Sequence, residues 1–316
     1  MLAAAVAAAS FACQPARGLG SITLARRAAL RVIDLATCRE RVSHRHPRPL
    51  APPGLRSPDG TSVARVFVRQ PTTNTAVDSI VVGSRVVYRV RERRTADGWL
   101  PGPLGLAGWS ADSRWLFFFV DPYGSNSYAA DGLRLQVVSA HGGRARALTR
   151  GLLYDDYRTW CGTTLVLTAG GNRIATTSKR LVAAHAPAWR PRLLAGARGR
   201  AWGSLACAPD GRSVVVQSQP ESSDANFFHT HWSLWRVGLD GSLRRLTFPP
   251  RGFADESPKI SRDGRTILFV RSRRGVGRLY ALRRGRLVGP LLSLGYEVGY
   301  YGHHEWWQSA AWSDSR

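Results

Sequence analysis

The sequence predicts an all-β protein folded as a six-bladed β-propeller, whose last blade is built from N-terminal strands plus one C-terminal strand. Three observations lead to this fold: a repeat of about fifty residues, a near absence of helical periodicity, and complementary fragments at the two ends. Hydrophobic residues make up 44% of the 316 positions, which is enough for a core in one large all-β unit.

Self-similarity along the chain defines the blades. Four segments share one pattern: LRSPDGTSVARVFV from Leu55, GWSADSRWLFFFV from Gly108, ACAPDGRSVVVQS from Ala206 and KISRDGRTILFVRS from Lys259. Equivalent positions in these segments follow one another at intervals of 53, 98 and 53 residues. A degenerate copy, TWCGTTLVLTAG from Thr159, fills the long interval, and AAWSDSR from Ala310 adds a sixth copy. Six copies predict six blades.

One copy of the repeat contains a strand, an Asp-Gly turn and an apolar β-rich strand. The Asp side chain bonds the backbone of its own turn, and Gly accepts the positive φ that such turns require. A third strand, such as Leu133–Ser139, and a fourth strand follow within the period. Four antiparallel strands per period are typical of a propeller blade. The third copy has Trp160-Cys161-Gly162 in place of the Asp-Gly turn, so blade 3 is expected to be the least regular.

The two ends of the chain complement each other. AAWSDSR supplies a first strand and its turn only. The stretch from Ser21 supplies ITLAR, ALRVIDL and RERV, which we interpret as the second, third and fourth strands of the same blade. We therefore expect residues 17–316 to form the propeller, with a shared sixth blade that removes open sheet edges.

Residues 1–16 are interpreted as a signal-like segment. Residues 2–12, LAAAVAAASFA, form an apolar run that is too short for a membrane span and typical of a signal peptide. Ser10-Phe11-Ala12-Cys13 resembles a bacterial lipobox but lacks its leucine. We expect the protein to be extracytoplasmic, either in the cell envelope or secreted. Whether Cys13 carries a lipid anchor is an open alternative.

The cysteines predict one disulfide. Cys161 and Cys207 both end a first strand, in the neighbouring blades 3 and 4, so their inner strands are expected to bring them within bonding range. Two buried free thiols are the alternative. Cys38 is placed between the third and fourth strands of blade 6, on the outer side, and is expected to reach neither. No CxxC spacing indicates a zinc site.

The recurring Trp-Ser-x-Asp-Gly pattern, with RALT at Arg146–Thr149 and RRLT at Arg244–Thr247, resembles the repeat of TolB-like propellers. The resemblance covers about residues 17–316 and implies the fold. Proteins of this class include envelope proteins that bind partner proteins, propeller domains of peptidases, and some polysaccharide lyases. Since no hydrolase-type segment follows the repeats, a peptidase-associated role is not expected.

One loop face of the predicted propeller is favoured for binding. The tight Asp-Gly turns lie on one face, and the long insertions lie on the other. These insertions are Asp121–Asp131, Gln217–His231, Thr247–Ser257 and Leu294–Gln308. On this face we predict a ligand-binding rim of aromatic, acidic and histidine side chains: Tyr154, Asp155, His229, His231, His303, Glu305 and Trp307.

Two other interpretations of this rim stay open. The HHEWW segment at residues 303–307 could be a packed corner with surface histidines. Alternatively, His229 or His231 could join one histidine of the HHEWW segment and Glu305 as ligands of a transition metal. The adjacent pair Asp155 and Asp156 is expected to be extended, with one carboxylate bonding the neighbouring blade. We assign no metal and no cofactor.

The sequence contains no nucleophile elbow, P-loop or dinucleotide fingerprint, so we expect a binding scaffold rather than an enzyme. The expected partner of this monomer is a protein or a wall polymer. A net charge of +24 adds an anionic surface as a further partner. Two alternatives remain: a metal-assisted polysaccharide lyase or hydrolase, and a basic intracellular protein associated with nucleic acid.

Overall fold

A computed structural model of the chain describes residues 13–26, 29–44, 54–72, 75–90, 104–121, 130–195, 199–223 and 230–314. These residues form 24 β-strands in six antiparallel sheets of four strands each. A single turn of 3₁₀ helix at Asp155–Tyr157 precedes one of the strands. Residues 1–12 of the predicted signal segment and His229 lie outside the described residues.

Five of the sheets are continuous in sequence and correspond to blades 1 to 5. Blade 1 contains β4 (Leu55–Arg56), β5 (Val63–Thr72), β6 (Thr75–Val82) and β7 (Arg85–Arg89). Blade 2 contains β8 (Leu104–Trp109), β9 (Trp115–Val120), β10 (Leu133–Ser139) and β11 (Arg146–Gly151). Blade 3 contains β12 (Arg158–Cys161), β13 (Thr164–Ala169), β14 (Arg180–Ala184) and β15 (Arg192–Ala195). Blade 4 contains β16 (Arg200–Cys207), β17 (Ser213–Pro220), β18 (Ser233–Gly238) and β19 (Leu243–Arg245). Blade 5 contains β20 (Ala254–Ile260), β21 (Thr266–Arg273), β22 (Val276–Arg283) and β23 (Arg286–Tyr296).

The sixth sheet combines both ends of the chain. Its strand order is β24 (Ala310–Ser313), β1 (Ser21–Arg26), β2 (Ala29–Asp34) and β3 (Glu40–His44). In the antiparallel register, Ile22 lies opposite Trp312. The indole of Trp312 donates to the carbonyl of Leu19 at 2.7 Å, and the Asp314 carboxylate accepts from the backbone N–H of Arg262 at 2.9 Å. The strand pairing is the one predicted for blade 6.

The Asp-Gly turns have the predicted local chemistry. The Asp59 carboxylate accepts from the Ser57 hydroxyl at 2.6 Å and from the backbone N–H of Thr61 at 3.0 Å. Gly60 has a φ of +74°, which favours glycine. The turn also contacts the next blade, since the backbone N–H of Asp59 donates to the Ser113 hydroxyl at 3.1 Å.

Blade 3 forms a complete sheet despite its missing Asp-Gly turn. Gly162, with a φ of +59°, reverses the chain between β12 and β13. A disulfide joins Cys161 of β12 to Cys207 of β16, with 5.5 Å between the Cα atoms. The weakest repeat in the sequence is thereby tied covalently to its neighbour, blade 4.

A second disulfide, which the sequence analysis did not find, joins Cys13 to Cys38 across 5.8 Å between Cα atoms. The segment that carries Cys13 runs beside blade 5, where the backbone N–H of Gln14 donates to the carbonyl of Leu291 at 2.8 Å. The sulfur of Cys13 is used by this bond, and none is left for a thioether to lipid. The structure therefore does not support a lipid anchor at Cys13.

The core lies between neighbouring sheets. Between blades 2 and 3, the ring of Phe117 packs against Trp160 and Trp189 at centroid distances of 5.5 and 5.0 Å. Between blades 5 and 6, Ile22 and Leu268 belong to one buried apolar cluster. No helix within the described part of the chain is long and apolar enough to cross a membrane.

The loop between β13 and β14 is organised around a buried lysine. The Lys179 ammonium is inaccessible to solvent and donates to the carbonyls of Asn172, Ile174 and Thr177 at 2.6, 2.9 and 3.1 Å. Burial lowers the pKa of Lys179 to about 8. The same loop contacts the segment before β24, because the backbone N–H of Ala175 donates to the carbonyl of Tyr301 at 2.8 Å.

Candidate functional site

The first strands of blades 3 to 6 border a cavity of about 650 Å³, which we call the inner-strand cavity. Loops that enter these strands supply most of its functional groups. Its charged and aromatic lining side chains are Asp155, Asp156, Glu305, Arg158, Lys259, Trp307 and Trp312. Acidic, cationic and aromatic groups therefore meet in one place.

The pair Asp155 and Asp156 is not extended as predicted but forms a turn of 3₁₀ helix. The turn directs the Asp155 carboxylate outward, where it forms an ion pair with Arg158. Asp156 accepts a hydrogen bond at 2.6 Å from the hydroxyl of Ser204, which belongs to β16 of the neighbouring blade. One carboxylate of the pair thus bonds the next blade, although through a different local conformation.

Asp156 also lies beside His303, with 3.3 Å between the carboxylate oxygen and Nε2. Burial acts to raise the pKa of Asp156, but His303 and the Ser204 hydroxyl outweigh it, so the pKa is lowered. Asp156 is therefore held as a carboxylate at the junction of blades 3 and 4 with the segment before β24.

Two residues predicted for the rim, Tyr154 and His303, are packed behind the cavity. Their side chains stack with 3.9 Å between ring centroids, and Tyr157 meets His303 edge-on at 4.9 Å. Tyr154 is 2% exposed and His303 is 1% exposed. Burial, followed by the charge of Glu305, raises the pKa of Tyr154. His303 is therefore a packed side chain of the HHEWW segment, but it is buried, whereas the packed-corner interpretation expected surface histidines.

A second acid–histidine pair lies next to the first and was missed by the sequence analysis. His304 Nδ1 lies 3.0 Å from the Glu256 carboxylate, and both side chains are 1% exposed. The Ser272 hydroxyl donates to the other carboxylate oxygen. Burial opposes both charges, but each partner outweighs it, so the pKa of Glu256 is lowered and the pKa of His304 is raised.

The two pairs share a signal that the sequence contains. Asp156 is the second acid of a doublet at the entry to blade 3, and Glu256 is the second acid of a doublet at the entry to blade 5. Each contacts one of two consecutive histidines. Matching two acid doublets to one histidine doublet would have found these contacts.

Glu305 and Trp307 face the inner-strand cavity. The indole N–H of Trp307 donates to the carbonyl of Ser257 at 2.6 Å, and the Lys259 ammonium lies 5.8 Å from the ring centroid. Burial, partly opposed by His303 and reinforced by the nearby aspartates, raises the pKa of Glu305. Among the described residues, no ion pair or hydrogen bond engages the Glu305 carboxylate.

The six predicted rim residues that the structure describes do not all line one cavity. Asp155, Glu305 and Trp307 line the cavity. His231 is exposed and is not part of the cavity lining; its backbone N–H donates to the Gln219 side chain at 2.7 Å. His229 lies outside the described residues. Within the described ranges, no three His, Cys, Asp or Glu side chains are arranged to hold a metal ion.

No known family profile matches the chain, and no curated protein matches it by sequence. Solved structures with a similar fold include TolB from Acinetobacter baumannii (15% identity, TM-score 0.45, 88% of this chain and 64% of that one). A putative TolB from Agrobacterium tumefaciens has 16% identity and a TM-score of 0.46, with 89% of this chain and 91% of that one covered. An oligogalacturonate lyase in complex with manganese has 14% identity and a TM-score of 0.49, with 94% and 87% covered. These similarities carry no argument about function, and the assignment of a six-bladed β-propeller rests on the six four-stranded sheets.

Proposed function

We propose that this chain is a non-catalytic, extracytoplasmic binding protein that holds an extended segment of a protein partner in the inner-strand cavity. The observation that carries the proposal is the cavity of about 650 Å³, whose lining contains three acidic side chains and two indoles. This concentration of acids contrasts with the net charge of +24 of the whole chain. Binding sites of this kind are concave, and a few placed polar groups give them specificity.

The charges of the cavity favour a ligand that carries a cationic group. Asp155 is paired with Arg158, and Asp156 is held by Ser204 and His303. The Glu305 carboxylate is left without such a partner among the described residues, and its raised pKa reflects burial near other acids. A lysine or arginine side chain of the partner would offset the repulsion between Glu305 and the two aspartates and form a charge-assisted hydrogen bond with the Glu305 carboxylate.

The aromatic groups supply apolar contact area at a low entropic cost. Trp307 and Trp312 are half-buried, and both indole N–H groups already donate to backbone carbonyls. Because the rings are fixed before binding, little side-chain freedom is lost when a ligand packs on them. These rings also favour a second candidate ligand, a carbohydrate component of the cell wall.

The two disulfides support an extracytoplasmic location. Bonds between Cys13 and Cys38 and between Cys161 and Cys207 require an oxidising compartment to form and persist. The same bonds disfavour the alternative of an intracellular protein associated with nucleic acid. The metal-assisted lyase or hydrolase is not the function we propose, because its metal would need several His, Cys, Asp or Glu ligands and the described residues place no three of them together.

Site-specific photo-crosslinking in the native host tests the proposal. A photoreactive amino acid is placed at Asp155 or Trp307 in the cavity, and at Thr61 on the turn face as the control. We expect an adduct with an envelope protein from the cavity positions and none from Thr61. Adducts from Thr61 alone, or a cytoplasmic location of the protein, would contradict the proposal.

A parallel experiment separates the two ligand classes. Purified protein is sedimented with isolated cell-wall polymer, before and after exchange of Trp307 for alanine. Co-sedimentation that depends on Trp307, without any protein adduct in the host, would replace the protein partner by the wall component.

A further inference from the structure

A second concave site lies between blades 4 and 5, beside the turns that join β20 to β21 and β22 to β23. It is a cleft of about 520 Å³ whose lining contains five arginines and no acidic residue. The five are Arg236, Arg244, Arg245, Arg265 and Arg284, and we call the site the arginine cleft. In the inner-strand cavity, by contrast, three acids accompany Arg158 and Lys259.

Four of these arginines lie in two opposed pairs, one across strands β18 and β19 and one just beyond the paired ends of β21 and β22. Arg236 of β18 lies directly opposite Arg244 of β19. Arg284 donates its backbone N–H to the carbonyl of Arg265 at 3.1 Å, which continues the register of β21 and β22. Like charges placed directly opposite each other on a sheet are destabilising. Two such pairs, from two blades, meet in one cleft.

Elsewhere in blade 5 a similar arrangement is neutralised from within the protein. Arg271 lies opposite Arg278, but its guanidinium forms two hydrogen bonds with the Asp255 carboxylate, at 2.6 and 2.9 Å. None of the five cleft arginines forms an ion pair with an acid of the described residues. The carboxylate of Asp263, two residues before Arg265, accepts from the Ser261 hydroxyl at 2.6 Å and from the backbone N–H of Arg265 at 3.0 Å, so it attracts the charge of Arg265 without forming an ion pair with it.

The cleft also contains unused hydrogen-bond donors. The Nε atom of Arg236 is buried without a hydrogen-bond partner in the described structure. An unsatisfied buried donor is costly, and an acceptor atom of a ligand would remove that cost. The guanidinium groups of Arg244, Arg265 and Arg284 are exposed and make no hydrogen bond to the described residues.

We propose that the arginine cleft binds an anion that carries two or more phosphate groups. Guanidinium groups offer planar, paired N–H donors that match phosphate oxygens, and several arginines around one cleft fit several linked phosphates. The volume of about 520 Å³ is that of a small-molecule site. The site is separate from the inner-strand cavity, so it stands or falls independently of the proposed partner binding.

Calorimetric titration of the full chain with sodium tripolyphosphate tests the proposal. The test variant is Arg265→Gln with Arg284→Gln. The control variant is Arg114→Gln with Arg212→Gln, which removes the same charge from exposed turn positions outside the cleft. Arg114, Arg212 and Arg265 each follow the Asp-Gly or Asp-Ser turn of their repeat, so the local contexts match.

We expect the test variant to bind tripolyphosphate at least about tenfold more weakly than the unmodified protein, because it loses two charge-assisted contacts. The control variant should change the affinity less than about twofold, as expected for screened surface charges. An equal loss in both variants would show a diffuse charge effect and overturn the proposal, as would the absence of saturable binding.

Vesicle sedimentation identifies the source of the phosphate. Vesicles of cardiolipin, whose head group carries two phosphates, are compared with phosphatidylcholine vesicles for all three proteins. Binding to cardiolipin that the test variant loses and the control keeps would assign the cleft to lipid head groups. Calorimetric binding without vesicle binding would assign it to a soluble oligophosphate. Vesicle binding that neither double variant reduces, with no calorimetric signal, would place any anion site elsewhere.

Discussion

Deletion of residues 312–316 should destabilise the protein far more than the loss of an exposed tail. We propose that the sheet shared by the two ends closes the ring of blades. The deletion removes the last two residue pairs between β24 and β1, the indole bond to Leu19, and the Asp314 bond to Arg262. Blade 6 would then have an incomplete first strand and a newly exposed edge.

The magnitude follows from these contacts. About three or four hydrogen bonds at about 1 kcal/mol each, plus about 2 kcal/mol for the half-buried indole of Trp312, give a loss of about 5 kcal/mol. A domain of this kind has a total stability of about 5–15 kcal/mol. With an unfolding entropy of about 2.1 cal/mol/K per residue over 316 residues, this loss lowers Tm by about 8 °C.

Differential scanning calorimetry of the oxidised protein measures this effect. Phe248→Ala is the control, because it also removes a large apolar side chain but from a position that is 71% exposed; it should cost less than about 1 kcal/mol. Trp312→Phe should fall between the two, since it keeps the packing and loses the indole bond to Leu19. A truncated protein that melts within about 1 °C of the full-length protein would refute ring closure by the shared sheet.

Three further predictions concern stability. The double variant Cys161→Ala with Cys207→Ala should lower the unfolding free energy, measured by urea unfolding, by about 4 kcal/mol, which is the chain-entropy value for a separation of 46 residues. Free thiols at both cysteines in the native protein would contradict the bond. The pKa of His304 is raised above its ordinary value of 6.5, so its contribution to stability is complete below that pH and is lost as the pH rises through the raised pKa. His304→Gln should flatten the pH dependence of urea unfolding over that range, and an unchanged profile would argue against the buried pair. Gly132→Ala should lower the unfolding free energy by more than about 3 kcal/mol, because its φ is +60° and a Cβ would lie 2.0 Å from a backbone oxygen of blade 3. Gly60→Ala, whose Cβ would meet open space, should cost only about 1–2 kcal/mol in the same urea assay. Equal losses would contradict the close contact at Gly132.

The blades could be predicted because each one carries a local signature. The Asp-Gly turn and the apolar strand after it lie within about a dozen residues, so the sequence alone reports their conformation. The same regularity places Cys161 and Cys207 at equivalent points of neighbouring blades, which explains why their proximity could be read from the repeat.

The contacts of the site depend instead on segments that are far apart in sequence. Glu256 lies on β20 and His304 follows 48 residues later, so the acid and histidine doublets are visible in the sequence, but the repeat does not pair one with the other. The segment that carries Cys13 precedes the first strand, so the repeat assigns it no position. His231 was grouped with the rim by its residue type and loop face, and the structure shows that these two criteria do not fix its distance from the cavity.

The buried ammonium of Lys179 has a consequence for the conditions under which the protein can work. Three converging backbone carbonyls resemble the ligand set that a loop would offer to a bound metal cation, but here the cation is part of the chain. It cannot be removed by chelators or by dilution of the surrounding salts. The cation that organises this loop therefore stays in place when the ionic composition of the surroundings changes, and the loop keeps its contact with the segment before β24 through Ala175 and Tyr301. High pH should weaken the loop instead, because above a pH of about 8 the amine of Lys179 becomes neutral and has only two protons to donate to three carbonyls.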